Sequence, residues 1–323
     1  MAGTEVRPRG HTKDNADRAS AGARLQVGMG RAIAHHGELL QGVFEDEDGH
    51  LHRGLVSLPL ASRQSLVTFW PHDSGGIRTR PRGRGKAARA AALALDHLGY
   101  SGAAGDLTIE SSIPIGHGYG SSTSDVVATM RAVAAGVGAT LRRSTFCRLA
   151  VAAEGASDAV AYEDQVVLFA QREGYVIEHF GDAFPPLIVV GFSDGVSPIN
   201  TLRLQPARYD SEEIELFRVL RGLTYRSIRQ QDARMLGRVA TTSARISQRH
   251  LPKPRWDSML QLAEAYGALG IQVAHSGTLF GILVDPEMPK AVGHATALAK
   301  AVEDLGFKRA QIFAVNAEGA ALP

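Results

Sequence analysis

The sequence predicts an α+β protein in two parts, and three observations predict it. The first third reads mostly as sheet, with weak alternation over residues 25–34 and β-rich runs at Leu55–Leu60 and Ser65–Trp70. A strand-like run, Leu107-Thr108-Ile109-Glu110, then leads through a glycine-rich turn into a helical run, Val126 to Ala135. Beyond Phe184-Pro185-Pro186 the pattern becomes arginine-rich helices followed by apolar strands and further helix. The boundary predicted there separates residues 25–184 from residues 185–323, with 1–24 as a leading tail.

In chain order, the tail carries Arg7, Arg9, Lys13, Arg18 and Arg24 and hardly any large apolar side chain. It cannot bury enough surface to offset its ordering entropy, so it is expected to be disordered. It lacks an apolar centre and does not read as a signal peptide. Glu45-Asp46-Glu47-Asp48-Gly49 reads as a hairpin turn, with Asp48-Gly49 supplying positive φ. Residues 77–90 hold six basic residues and no acid, which reads as a solvated loop and helix start or as a basic rim for phosphates. Ala87 to Leu98 is a helix stopped by Gly99, and Ser144 caps another that runs to about Ala156. Val166–Ala170 and Tyr175–Phe180 form a hairpin around Glu173-Gly174. Leu187–Phe192 is a buried strand, and residues 211–249 are two helices broken near Gln231-Asp232. Helix Trp256–Leu269, strands Ile271–Ala274 and Thr278–Val284, helix Lys290–Leu305 and strand Ala310–Val315 complete the chain.

Composition narrows the function classes. With 44% hydrophobic and 21% charged residues, the 323-residue chain fits a globular protein with a real core. A net charge of +2 is too small to argue for nucleic acid, and no run approaches a membrane span. One cysteine, Cys147, excludes an internal disulfide framework and fits a reducing compartment, so the expected location is the cytoplasm.

The stretch Pro114-Ile115-Gly116-His117-Gly118-Tyr119-Gly120-Ser121-Ser122-Thr123-Ser124-Asp125 carries the chemistry. Alternating glycines let backbone N–H groups approach a ligand, and the hydroxyls follow where a helix begins. Strand, turn and helix N-terminus together suit an anion, phosphate above all. The stretch is neither a Walker A loop nor a dinucleotide fingerprint. Glu154 and Asp158 lie four apart, although Gly155 makes continuous helix between them doubtful. Glu38 would be costly inside a strand unless it meets a substrate group. His35 and His36 are adjacent and face opposite sides of a strand, a poor zinc pair, so at least one of them is structural.

Three stretches in order resemble the GHMP kinases, the small-molecule kinases named after galactokinase, homoserine, mevalonate and phosphomevalonate kinases. PIGHGYGSSTSD resembles their central phosphate motif, HHGELLQG their N-terminal motif, and VAHSGTLFGILVD their C-terminal glycine-containing motif. The wordings GELLQG, GSSTSD and AHSGT look closest to the bacterial L-threonine kinases of cobamide synthesis. The resemblance implies an N-terminal domain like domain 2 of ribosomal protein S5, a ferredoxin-like C-terminal domain, and a site between them. It implies ATP on Pro114, Gly116, Gly118, Gly120, Ser121, Ser122 and Thr123, and Mg²⁺ on Ser122 and Glu154. Which of Ser121 and Ser122 meets the metal stays open. It makes Asp158 the catalytic base or orienter, with Asp164 as second candidate. It places His36, Glu38, Gln41, His275, Ser276, Gly277 and Thr278 near substrate. The expected activity is phosphorylation of an alcohol, that of L-threonine or a related hydroxy amino acid. The alternatives are another metabolite alcohol or a silent nucleotide-binding regulator on the same fold. The expected partner is a small-molecule alcohol, with neither nucleic acid nor membrane, and a homodimer is admitted.

Overall fold

In the computed structural model, residues 24–195 and 207–317 are described, and the tail expected to be disordered lies outside them save for Arg24. The chain opens with a long hairpin, β1 (Gly28–Glu45) and β2 (Leu51–His72), turned at Gly49 with φ of 81°. The two runs expected within 55–70 are therefore one strand. Between the pairs Ile33–Gln64 and Ala34–Leu60 the register slips, and the irregularity takes up Ala61–Arg63. That interruption is what made the sequence read as two strands.

The arginine-rich stretch expected as loop begins instead as a short strand, β3 (Ile77–Arg80), parallel to β4 (Ala104–Ser111). Helix α1 (Gly85–His97) lies between them in sequence. Helix α2 (Ser121–Val137) starts five residues earlier than the apolar pattern suggested, because the serines after Gly120 are already helical. Helix α3 (Arg143–Glu154) begins one residue before Ser144, with Arg142 at the cap position and no side-chain cap. The hairpin β5 (Val166–Ala170) and β6 (Tyr175–Gly181) closes this half and pairs with β2.

The second half holds β7 (Leu187–Ser193), α4 (Ser211–Gln230), α5 (Ala233–His250) and α6 (Trp256–Ala265). Asp232 breaks the α4–α5 run and caps α5 by accepting from the Met235 N–H. Then come β8 (Gly270–Val273), β9 (Leu279–Val284), α7 (Ala291–Asp304) and β10 (Lys308–Val315).

Among the described residues ten strands join in one sheet, ordered β10-β7-β9-β8-β1-β2-β4-β3, with β5 and β6 branching from β2. The first-half and second-half strands meet where β1 pairs β8 at Glu38–Val273. One apolar cluster packs α1–α3 on the first half and another packs α6 and α7 on the second, while the cluster between them draws on both. Fully buried side chains such as Phe69 and Phe280 contribute about 1.5–3 kcal/mol each through burial. Helix α2 lies hard against β1 because a Cβ on Gly30 would sit 2.1 Å from the Ala128 carbonyl oxygen. That approach brings the start of α2 beside the middle of β1. Among the described residues no helix is long and apolar enough to cross a membrane.

Candidate active site

Where α2 begins, the sequence leaves no room for a side-chain cap: Gly120 holds the N-cap position with φ of 69°. Ser121, Ser122 and Thr123 therefore form the first turn, whose backbone N–H groups have no partner within the helix. With the helix dipole they make an anion-attracting end. Gly116, Gly118 and Gly120 all have positive φ, so the turn before α2 needs glycine at each. A cavity of about 630 Å³ opens over this end.

The cavity wall can be followed contact by contact. Lys86 Nζ lies 3.6 Å from Glu154 Oε2. Ser122 Oγ donates to Glu154 Oε2 at 2.6 Å, and Thr123 Oγ1 donates to Glu154 Oε1 at 2.8 Å. Thr123 Oγ1 also reaches Asp158 Oδ2 at 3.4 Å. Asp158 Oδ2 meets His35 Nε2 at 2.9 Å, and His35 Nδ1 lies 3.8 Å from Glu38 Oε1. Glu38 Oε2 accepts from the His275 backbone N–H, and the His275 ring meets Gln41 Oε1 at 3.2 Å and Gln171 Nε2 at 3.5 Å.

Burial and charge set the protonation states. Burial alone would lower the His35 imidazole, but the charge and hydrogen bond of Asp158, then Glu38, raise it to about 9. Burial would raise Asp158, yet the attraction and hydrogen bond of His35 hold its carboxyl below the usual carboxylate range. The two form an ion pair of imidazolium and carboxylate, with 22% of the Asp158 side chain still exposed to the cavity. Burial pushes Glu38 up to about 7 and raises Glu154 too, the Glu154 side chain being only 2% exposed. Burial lowers His275 to about 4, so its ring is neutral.

Glu154 and Asp158 share no helical face. Gly155, at φ of 86°, ends α3, and the two carboxylates reach the wall from the helix end and the loop after it. Glu154, Ser122 and Thr123 offer oxygen donors on the lining, which suits Mg²⁺. Among the described residues two clusters have metal-ligand spacing: Asp46, Asp48 and His50 at the β1–β2 turn, and in the cavity His35, Glu38 and Asp158, where His35 and Asp158 are already paired with each other.

Of the residues singled out from the sequence, Gly116, Gly118, Gly120, Ser121, Ser122, Thr123, Glu154, Asp158, Glu38, Gln41, His275 and Ser276 line the cavity. Pro114 does not, although its neighbour Ile115 does. Asp164 is also absent from the lining and pairs with Arg143 at 2.6 Å, its side chain 58% exposed. His36 is a correction: it is wholly buried, bonded to Gln272 at 2.7 Å and packed against Tyr119 and Phe313. Burial lowers it to about 3, so it is a neutral core imidazole.

Gly277 and Thr278 are corrections as well. A Cβ on Gly277 would sit 2.3 Å from the His117 carbonyl oxygen, and the Thr278 N–H donates to that oxygen at 3.0 Å. Thr278 Oγ1 bonds His117 Nδ1 at 2.9 Å and Ser193 Oγ at 2.8 Å. This half of the turn holds the glycine loop from behind.

The lining also holds His35, Lys86, Arg53 and Arg172, to none of which the sequence assigned a role of its own. His35 and Lys86 could have been found. His35 opens the stretch HHGELLQG, and Lys86 belongs to the basic run at the start of α1. Arg53 and Arg172 carried no local signal.

Residues 86–169 match the family model described as the GHMP kinases N terminal domain. The chain is 31% identical to the L-threonine kinase of Salmonella typhimurium over 183 residues, 55% of this chain and 59% of that protein. It is 30% identical to the L-threonine kinase of Citrobacter freundii over 180 residues, 55% of this chain and 62% of that one. The chain thus spans about three fifths of the length of these relatives. The crystal structure of homoserine kinase from Cytophaga hutchinsonii superposes with a TM-score of 0.66 at 15% identity, covering 92% of this chain and 97% of the other.

Proposed function

We propose that this chain, which carries a GHMP kinase N-terminal domain on the GHMP kinase fold, is an ATP-dependent kinase that phosphorylates the hydroxyl of L-threonine or a related hydroxy amino acid. The observation that carries the reading is the continuous polar wall from Lys86 through Glu154, Ser122 and Thr123 to Asp158, beside the N-terminus of α2. A phosphate-binding end and an ionised carboxylate share one cavity, which is what transfer to an alcohol needs.

In this reading the backbone of Gly116 to Ser122 holds the nucleotide phosphates, aided by the α2 dipole and the Lys86 ammonium. Glu154 and Ser122 would hold Mg²⁺, which neutralises phosphate charge when bound. Asp158 accepts a hydrogen bond from the acceptor hydroxyl and aims its oxygen at the γ-phosphorus. The new P–O bond forms as the bond to the departing ADP oxygen breaks, and the bonding pair leaves with ADP. The hydroxyl proton passes to Asp158. A carboxylate held in the ionised state by His35 is a weak base, so orientation dominates and proton transfer comes late, which suits a loose transition state. Glu38 and Gln41 take the substrate's amino group and neighbouring polar atoms.

The test is an assay with ATP, Mg²⁺ and L-threonine, followed by ³¹P NMR for O-phospho-L-threonine. L-serine and L-homoserine are expected to be poorer acceptors. If all three are inert while ATP still binds, the acceptor is another alcohol.

A further inference from the structure

The cavity does not end at Gln41 and His275. Past them its lining includes Gln171, Arg172, Arg53, Tyr209 and His250. Antiparallel pairing of β2 with β5 at Gly54–Ala170 brings Arg53 and Arg172 to the same edge. Neither guanidinium is ion-paired with a described residue. Arg53 donates to the Ala207 carbonyl at 2.5 Å and lies 6.0 Å from the centre of the Tyr209 ring, which leaves most of its donors without a partner among the described residues. Arg172 makes no hydrogen bond to another described residue and stands exposed at this edge. Both charges are felt at the His275 ring, helping to keep it neutral.

Their place relative to the reacting centre decides what they could bind. Phosphate chemistry sits at the Lys86–Glu154–Ser122 end. Asp158 comes next, and the contacts then run through His35, Glu38 and His275 to Gln171, the neighbour of Arg172. Two cations beyond the acceptor's hydroxyl, on the side away from the nucleotide, have no phosphate to neutralise.

We infer that Arg53 and Arg172 form a subsite for an anionic group of the acceptor, a carboxylate, and so select hydroxy acids over neutral alcohols. The inference rests on the kinase reading above and adds the residues that would set specificity. A guanidinium pairs a carboxylate through parallel N–H donors, and an amide of the same shape cannot replace that charge.

The experiment compares L-threonine with L-threoninamide, and a panel of hydroxy acids with the matching neutral alcohols, using the full chain with ATP and Mg²⁺. Wild type is expected to favour the acid by about 10–100-fold in kcat/KM, the usual range for losing a charged hydrogen-bond partner. Arg172→Gln should raise KM for L-threonine by roughly 10-fold with KM for ATP unchanged. Arg172→Gln with Arg53→Gln should bring the acid and amide to near parity, and Arg53→Lys should restore part of the preference. A wild type that phosphorylates neutral alcohols as well as acids overturns the subsite and leaves the kinase reading standing. So does an acid preference that survives in the double variant. A wild type that transfers phosphate to no acceptor overturns the kinase reading, and the subsite falls with it.

Discussion

The loop from Gly116 to Thr123 and the turn from His275 to Thr278 draw on the same few residue types, glycine, histidine, serine and threonine, and put them to different uses. The loop aims Ser121, Ser122 and Thr123 into the cavity from the first turn of a helix. The turn offers only His275 and Ser276 there. Gly277 and Thr278 instead clasp His117 and Gly118, so a Cβ on either of Gly118 or Gly277 would strike the opposing turn. A hydroxyl at a helix start keeps its neighbours' N–H groups open to a ligand. A hydroxyl between two packed turns satisfies buried protein groups and is closed to one.

The largest expected effect breaks or sharpens the active side of this contrast. Asp158→Asn keeps the shape and removes the charge facing the loop. It should lower kcat by about 10²–10⁴-fold, the usual range for a positioned acid–base group, with nucleotide affinity within a few-fold of wild type. Full activity in the variant would leave the loop as a nucleotide holder with no reacting carboxylate beside it.

Much of this was legible in the sequence, and the failures have physical causes. The glycine loop, the α4–α5 break and the order of the helices follow from local chemistry that a single stretch can display, whereas β3 and the unity of β2 do not. His35 and His36 show where that stops. Alternation correctly put them on opposite faces, but β1 is buried on both sides from Ala32 to Gly42, so burial pattern cannot say which face is the site. The register also slips between His35 and Glu38, around Gly37 at φ of 62°. Side chains three apart, His35 and Glu38, therefore line the same cavity, which regular alternation forbids. Arg53 and Arg172 meet only through sheet pairing, and no window of sequence contains both. The division near residue 184 stands as a proposal, since the β1–β8 pairing carries one sheet across both halves.

The next effect down tests the metal end of the loop. Glu154→Gln should raise the Mg²⁺ concentration for half-maximal rate by roughly 10–100-fold, as when a group supporting a metal site is lost. Saturating Mg²⁺ should restore much of the rate. An unchanged Mg²⁺ dependence would move the metal away from Glu154 and Ser122.

Thr278→Val probes the closed side. It leaves His117 Nδ1 and Ser193 Oγ buried with a lost partner, a cost of about 1–3 kcal/mol. Thermal or denaturant unfolding should report that loss, while KM and kcat of the remaining folded enzyme stay near wild type. A fall in kcat without loss of stability would put Thr278 in the reacting site and dissolve the contrast.

The smallest effect belongs to His35, which touches both regions through Gly120 and Glu38. Its folded pKa, raised from 6.5 to about 9, contributes stability that is fully present below pH 6.5 and is lost as pH rises through about 9. The neighbouring buried groups act in other windows. Glu38, raised from 4.5 to about 7, removes stability as pH rises between those values and nothing further above them. His36 and His275, lowered to about 3 and about 4, remove stability only as pH falls below 6.5. Burial lowers Lys253, which therefore adds stability toward alkaline pH, so the comparison must be a difference between two proteins that both keep it. From pH 7 to 9 the melting temperature of wild type should fall by a few degrees more than that of His35→Gln. Parallel curves would mean that the imidazole is neutral throughout, that Asp158 is not held ionised by it, and that the carboxylate is free to act as an ordinary base.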